Sequence, residues 1–109
     1  MIYEVEVSEQ ADRDLRETFE YIAFELQSPE NAIGQLDRLE EQILSLDAMP
    51  KRYRKYEKEP WKSRELHILP VDNYVILYIP NSDKKVVTIL RVMYAGRDID
   101  NQLNFHTKQ

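Results

Sequence analysis

The sequence predicts an α+β domain in which a helical hairpin packs on a mainly antiparallel sheet, in the order β-α-α-β-β-β. Three observations predict it. Two apolar stripes recur at helical spacing, Ala11–Leu26 and Ala32–Leu46, with only two or three residues between the helices. A run of alternating character, Tyr3 to Val7, precedes them. Three β-rich runs follow, parted by turn signals at residues 70–73 and 80–83.

Taken in order, Tyr3, Val5 and Val7 alternate with Glu4 and Glu6, so residues 2–7 read as a half-buried strand. Ser8 stands where a helix cap is needed, and Glu9 falls in the first turn, where the helix dipole favours negative charge. In the helix over 9–26, Ala11, Leu15, Phe19, Ile22 and Leu26 form one stripe. Tyr21 and Phe24 widen it, as core edge or as a partner surface. Ser28-Pro29-Glu30 restarts a helix, with Ser28 as cap and Pro29 in the first position, where its missing N–H costs nothing. This second helix covers 29–48 and stops at Met49-Pro50. So short a link makes the two helices antiparallel neighbours. Strands are expected over 63–69, 73–79 and 85–94, the middle one apolar throughout and therefore central. A short helix is expected over 97–103, with a fraying tail over 104–109.

At 109 residues the chain reads as one domain, 1–109, with enough length to bury a core. It has no cysteine, which fits a cytoplasmic setting, and the N-terminus has a strand pattern and not that of a secretion signal. No segment approaches the run of about 20 apolar residues that crosses a bilayer, so no membrane partner is expected. His67 and His106 lack ligand spacing, and Gly34 and Gly96 build no phosphate loop, so neither metal nor cofactor is expected. The net charge of −5 is uneven: residues 1–50 hold 13 acidic and 3 basic side chains, and residues 51–109 hold 7 and 12. The basic half offers a grip for nucleic acid or an acidic protein, unless the halves neutralise each other across the fold.

One charge, Arg91, interrupts the last strand. Strict alternation sets it on the face of Val87, Ile89 and Met93, with Tyr94 on the other face beside Leu90 and Val92. Unpaired burial of an arginine is costly, so it either meets a carboxylate or reaches out to an anion. Residues 51–62 interleave Lys51, Arg52, Arg54, Lys55 and Lys58 with Tyr53, Tyr56 and Trp61. Single-strand binders use such a mixture, cations for phosphate and rings for bases, but a connecting loop over a core edge looks the same. Arg64, Arg91 and Arg97 with Tyr94 and His67 form a set able to stabilise a phosphate transition state. The base would be Glu57 or Tyr94 and the acid Tyr94 or His67.

The element order, the Ser-Pro-Glu restart, Leu-Asp-Ala-Met-Pro at 46–50, Asp-Asn-Tyr-Val-Ile-Leu-Tyr at 72–78 and Ile-Leu-Arg-Val-Met-Tyr-Ala-Gly-Arg-Asp-Ile at 89–99 together resemble the RelE/ParE superfamily of type II toxins. The resemblance spans nearly the whole chain. It implies a small bacterial toxin, of the kind also called plasmid stabilisation proteins, held inactive by a cognate antitoxin. Tyr21 and Phe24 are then the places to look for antitoxin contact. One branch of the superfamily inhibits DNA gyrase; the other cleaves mRNA on the ribosome as a metal-independent endoribonuclease. Gly96 and Arg97-Asp98 after the last strand resemble the ParE-like ending, although Tyr94 stands where His is common, and the net acidity points the same way. Arg97 with Lys51, Arg52, Arg54 and Lys55 would then face the target. Matched to the nuclease branch, Arg64, Arg91 and Tyr94 would be catalytic. A non-toxic binding module of the same fold is the remaining alternative.

Overall fold

The computed structural model describes residues 2–107. Strand β1 (Glu4–Val7) leads into helix α1 (Glu9–Glu20), a single π-helical turn (Tyr21–Glu25) and helix α2 (Pro29–Leu44). Strands β2 (His67–Val71), β3 (Tyr74–Asn81) and β4 (Val86–Tyr94) follow, then helix α3 (Ile99–His106). The sheet runs β1-β4-β3-β2. β1 is parallel to β4 and the other pairs are antiparallel. The expected hairpin on a sheet is therefore present, with β3 inside it.

Local chemistry sets the element ends. Ser8 Oγ accepts a bond from the Ala11 amide at 3.0 Å, capping α1, and donates to the Leu90 carbonyl at 3.0 Å. Ser28 holds the cap position of α2 without a side-chain bond there, and Pro29 follows it. The helices reverse through Gln27, at φ 51°, and α2 ends in a 3-10 turn before Met49, at φ 49°.

The strand over 63–69 is corrected: residues 61–65 coil into turns, and β2 starts only at His67. Burial of the Trp61 indole winds the chain, because the Leu66 amide bonds back to the Trp61 carbonyl at 3.1 Å and Glu65 takes φ 64°. Pro70 and Val71, expected in a turn, extend β2, where proline is tolerated because the strand lies at the sheet edge. The hairpin loop is only Asp72-Asn73, with Asp72 at φ 55°. Pro80 and Asn81 likewise belong to β3. At the N-terminus the strand begins at Glu4, not at Ile2, which bridges to Ala48 outside the sheet.

The alternation expected along β4 breaks at Leu90. Leu77 pairs with Arg91 but Tyr78 pairs with Ile89, so Leu90 is an extra residue in a bulge. Val87, Ile89 and Val92 consequently face the hairpin, while Leu90 and Met93 face the opposite layer. On the hairpin side, Ala11, Leu15, Leu39, Ile43 and Leu46 bury against Ile76, Tyr78 and Ile89. On the other side, Trp61, Leu66 and Leu103 bury against Val75, Leu77 and Met93. α3 thus covers the back of the sheet. Asn104 to His106, expected to fray, complete that helix because Asn104 Oδ1 accepts from the Trp61 indole at 2.9 Å. The last two residues of the expected tail lie outside the described residues.

Candidate functional site

Arg91 is tied, not free. Its Nε and Nη2 donate to the two carboxylate oxygens of Asp14 at 2.7 and 2.9 Å, a bidentate pair whose side chains are 7% and 10% exposed. Its Nη1 donates to the His106 carbonyl at 3.1 Å and to Thr107 Oγ1 at 2.9 Å. Asp14 also accepts the Val92 amide at 2.9 Å. One guanidinium therefore joins α1, β4 and the end of α3, and of the two readings of Arg91 the carboxylate tie is the one observed.

Tyr94 stands at the end of β4, half exposed, with its ring edge-on to Tyr74 at 5.8 Å. Gly96 makes room for that ring, since a Cβ there would lie 2.4 Å from Tyr94 Cε2. The two rings lie at one side of a groove of about 850 Å³ between the hairpin and the β3–β4 end. Tyr21 and Leu26 from the π-turn region line it from above, and Gln35 and Arg97 contribute polar groups. Such single π-helical turns often mark functional sites. Gln35 is fixed by donating to Asp72 at 3.1 Å, and Arg38 pairs with the same carboxylate at 2.6 Å. That Arg38 contact holds the Asp72 carboxyl below its ordinary pKa. Phe24 is 70% exposed and lies outside the groove lining.

The groove gathers Tyr21, Tyr94 and Arg97 from the sequence candidates, and leaves the others elsewhere. Arg64 sits in the turn before β2, its guanidinium 5.0 Å above the Trp61 ring, on the α3 side of the sheet. Arg52 lies over Tyr53 at 4.6 Å and donates to the Ala48 and Met49 carbonyls, so it caps the end of the hairpin. Lys55 pairs with Glu65 at 2.7 Å. Lys51 and Arg54 are exposed, and the Arg54 carbonyl accepts the Ile68 amide at 3.0 Å, laying this segment along the free edge of β2. The rings expected to stack bases turn inward: Trp61 is 1% exposed, and Tyr53 and Tyr56 are half buried. His67 is buried, with Nδ1 2.8 Å from the Glu65 carbonyl, whereas Glu57 is exposed. Among the described residues no cluster of His, Cys, Asp and Glu is arranged to hold a metal.

Asp14, Tyr74, Asp100 and Thr107 are the working residues that sequence reasoning missed. A lone arginine in a core strand called for a carboxylate, but 13 acidic residues in the first half offered no way to choose one. Asp100 accepts from the Tyr56 hydroxyl and pairs with Lys58 at 2.7 Å, pinning the start of α3. The Lys58 bond, aided by Tyr56, holds the Asp100 carboxyl below its ordinary range.

The fold and the exposed Tyr94–Arg97 turn set the frame for comparison. The family described as the ParE toxin of type II toxin-antitoxin systems, parDE, matches residues 5–99. The chain belongs to this ParE toxin family. Among curated proteins, none matches it. Solved structures of similar fold include a chain of the chromosomal ParDE system from P. aeruginosa, with TM-score 0.69 and 18% identity over 85% of this chain and 96% of that one. A chain of the RelBE2 toxin–antitoxin complex from Mycobacterium tuberculosis superposes with TM-score 0.64 and 22% identity, covering 86% and 99%. A mutant E. coli RelE toxin in the free state gives 0.60 and 17%, covering 91% and 90%. At these identities the likeness is one of fold, which both branches of the superfamily share.

Proposed function

We propose that this ParE-family chain is the toxin of a type II system, neutralised by a cognate antitoxin in the cytoplasm, and that its target is DNA gyrase. The observation that carries the choice of target is the engagement of Arg91. A nuclease site assembled from Arg64, Arg91 and Tyr94 needs three groups converging on one phosphate. Here Arg91 is spent on Asp14 and the end of α3, and Arg64 stacks on Trp61 on the opposite side of the sheet from the Tyr94 groove. The turn bearing Tyr94 and Arg97 remains exposed, as a surface offered to a protein would be. The family match adds support for the ParE-like branch.

Purified toxin is expected to block supercoiling by purified gyrase and to trap cleaved DNA, while cellular mRNA mapped by primer extension stays intact. Intact supercoiling together with codon-phased mRNA cuts would overturn the proposal. The groove beside Tyr94, with Arg97 and three tyrosine rings, favours the ribosome-dependent nuclease as the second reading. On that reading Tyr94→Phe lowers cleavage by orders of magnitude. Expression that leaves growth untouched would point instead to a non-toxic binding module.

A further inference from the structure

Two glycines are all the chain has, Gly34 and Gly96, and neither takes a positive φ, so neither serves a turn that only glycine could make. Each makes room for a side chain instead. Gly34 lies inside α2, where glycine is unfavourable. A Cβ there would stand 3.2 Å from Arg38 Nη1, closer than a carbon normally packs, because the guanidinium lies folded back on its own helix. Gly96 clears the Tyr94 ring in the same way. The two side chains given room are the ends of one line of contacts. Arg38 Nε donates to Asp72 Oδ2 at 2.6 Å, and Gln35, only 8% exposed, donates to the same oxygen at 3.1 Å. The carbonyl of the next residue, Asn73, accepts the Ala95 amide at 2.8 Å. Ala95 stands between Tyr94 and Gly96, and the Arg97 amide donates back to the Tyr94 carbonyl at 3.0 Å. α2 is thereby joined, through the β2–β3 loop, to the exposed turn after β4.

We infer that Asp72 is a positioning residue: held by Arg38 and Gln35, it fixes the β2–β3 loop and, through Asn73, the pose in which the Tyr94–Arg97 turn is presented to gyrase. The inference rests on the gyrase reading above. Asp72 and Arg38 are 43% and 53% exposed, and an ion pair so solvated adds little stability. Nor does the loop need the carboxylate, since Asp72 sits at φ 55°, a conformation that glycine adopts more readily. What the pair supplies is direction. Gln35 and Arg38 stand three apart on one face of α2, so two donors from a packed helix meet one oxygen of the loop. At the far end, Arg97 forms no ion pair among the described residues. A contact made by such a free arginine loses affinity when its turn must first be ordered, and the clamp removes that cost.

The test titrates purified toxin against supercoiling by purified gyrase, beside backbone amide hydrogen exchange read by NMR. Asp72→Gly spares the loop and removes the acceptor. It should need about tenfold more toxin for half inhibition, with the melting temperature close to that of wild type. Exchange at the Ala95 amide should quicken by about tenfold, while the Ile68 amide, bonded to Arg54 at the other end of β2, keeps its rate. Arg38→Ala should weaken inhibition too. The double variant Arg38→Ala/Asp72→Gly should be no weaker than Asp72→Gly alone, because both changes break one contact. Wild-type potency in Asp72→Gly would overturn the inference and leave gyrase standing as the target. Lost potency with unchanged exchange at Ala95 would also overturn it, making Asp72 a contact of gyrase itself. Additive losses in the double variant would overturn it as well, since Arg38 would then act apart from Asp72. Wild-type toxin without effect on supercoiling would overturn the inference and the gyrase reading together.

Discussion

At the scale of single residues, the chain concentrates its polar energetics on Arg91. A buried, bidentate pair is weak evidence of net stability, because desolvation offsets the attraction. Breaking it is another matter, since the remaining carboxylate, only 10% exposed, loses its counter-charge. Arg91→Ala leaves Asp14 with only the Val92 amide, and about 3–5 kcal/mol of unfolding free energy should be lost in urea titrations. Replacing both partners, as in Asp14→Leu/Arg91→Met, should cost clearly less than either single change. If the double variant is as unstable as Arg91→Ala, the carboxylate is not what Arg91 is there to meet. Gly96 poses a gentler problem. Gly96→Ala puts a methyl into the space of the Tyr94 ring, which can rotate away. Stability should shift by no more than about 1 kcal/mol. The NMR ring signals of Tyr94 and Tyr74 should move, together with whatever activity Tyr94 supports.

Among the elements, those with a strong period were legible and those held by one side chain were not. The stripes Ala11–Leu26 and Ala32–Leu46 give the hairpin because each holds to steps of three or four residues over four successive intervals. The run Tyr74–Ile79, apolar on both faces, gives the interior strand for the same kind of reason. The start of β2 was misplaced because a buried tryptophan overrides the extended preference of its neighbours, and one ring carries no period. The Leu90 bulge was equally hidden, since a single inserted residue leaves composition unchanged while moving Met93 to the other layer. For the site, Arg97 was legible in the glycine turn and Tyr94 as the end of the strand before it, whereas the partner of Arg91 lay 77 residues away. α3 shows what such unpatterned contacts achieve. Leu103 is fully buried, and Asn104 and Asp100 tie the helix to Trp61, Tyr56 and Lys58. Leu103→Ala should cost about 2–5 kcal/mol and shift Trp61 fluorescence to the red as water reaches the ring. Across the sheet, Leu39→Asp places an unpaired charge under the hairpin and should cost about 3 kcal/mol or more, without a specific effect on Trp61 below the unfolding transition.

For the whole molecule, titration sets the range of pH over which these layers hold together. On the acid side, Glu59, Glu65, Asp72 and Asp100 all have carboxyls held low, chiefly by bonds from Ser63, Lys55, Arg38 and Lys58 respectively. A depressed folded value means that each contribution is complete above the unfolded pKa, about 4, and is lost as pH falls through the lower folded value. These groups are largely solvated, so each contribution is small and falls with added salt. On the alkaline side, burial raises Tyr56, Tyr74 and Tyr78, with the Asp100 bond adding to the effect at Tyr56. A raised folded value has the opposite consequence. The contribution is complete below the unfolded pKa, about 10, and is lost as pH climbs towards the folded value. Tyr78 dominates this limb, because its ring is fully buried and its hydroxyl donates to the Pro50 carbonyl at 2.5 Å. Melting temperature should therefore fall below about pH 4, more shallowly at high salt, and fall more steeply above about pH 10. Tyr78→Phe should lose about 1 kcal/mol at neutral pH, from the unbonded carbonyl, yet flatten the alkaline limb. An alkaline limb of unchanged steepness in that variant would show that deprotonation of Tyr78 is not what opens the core.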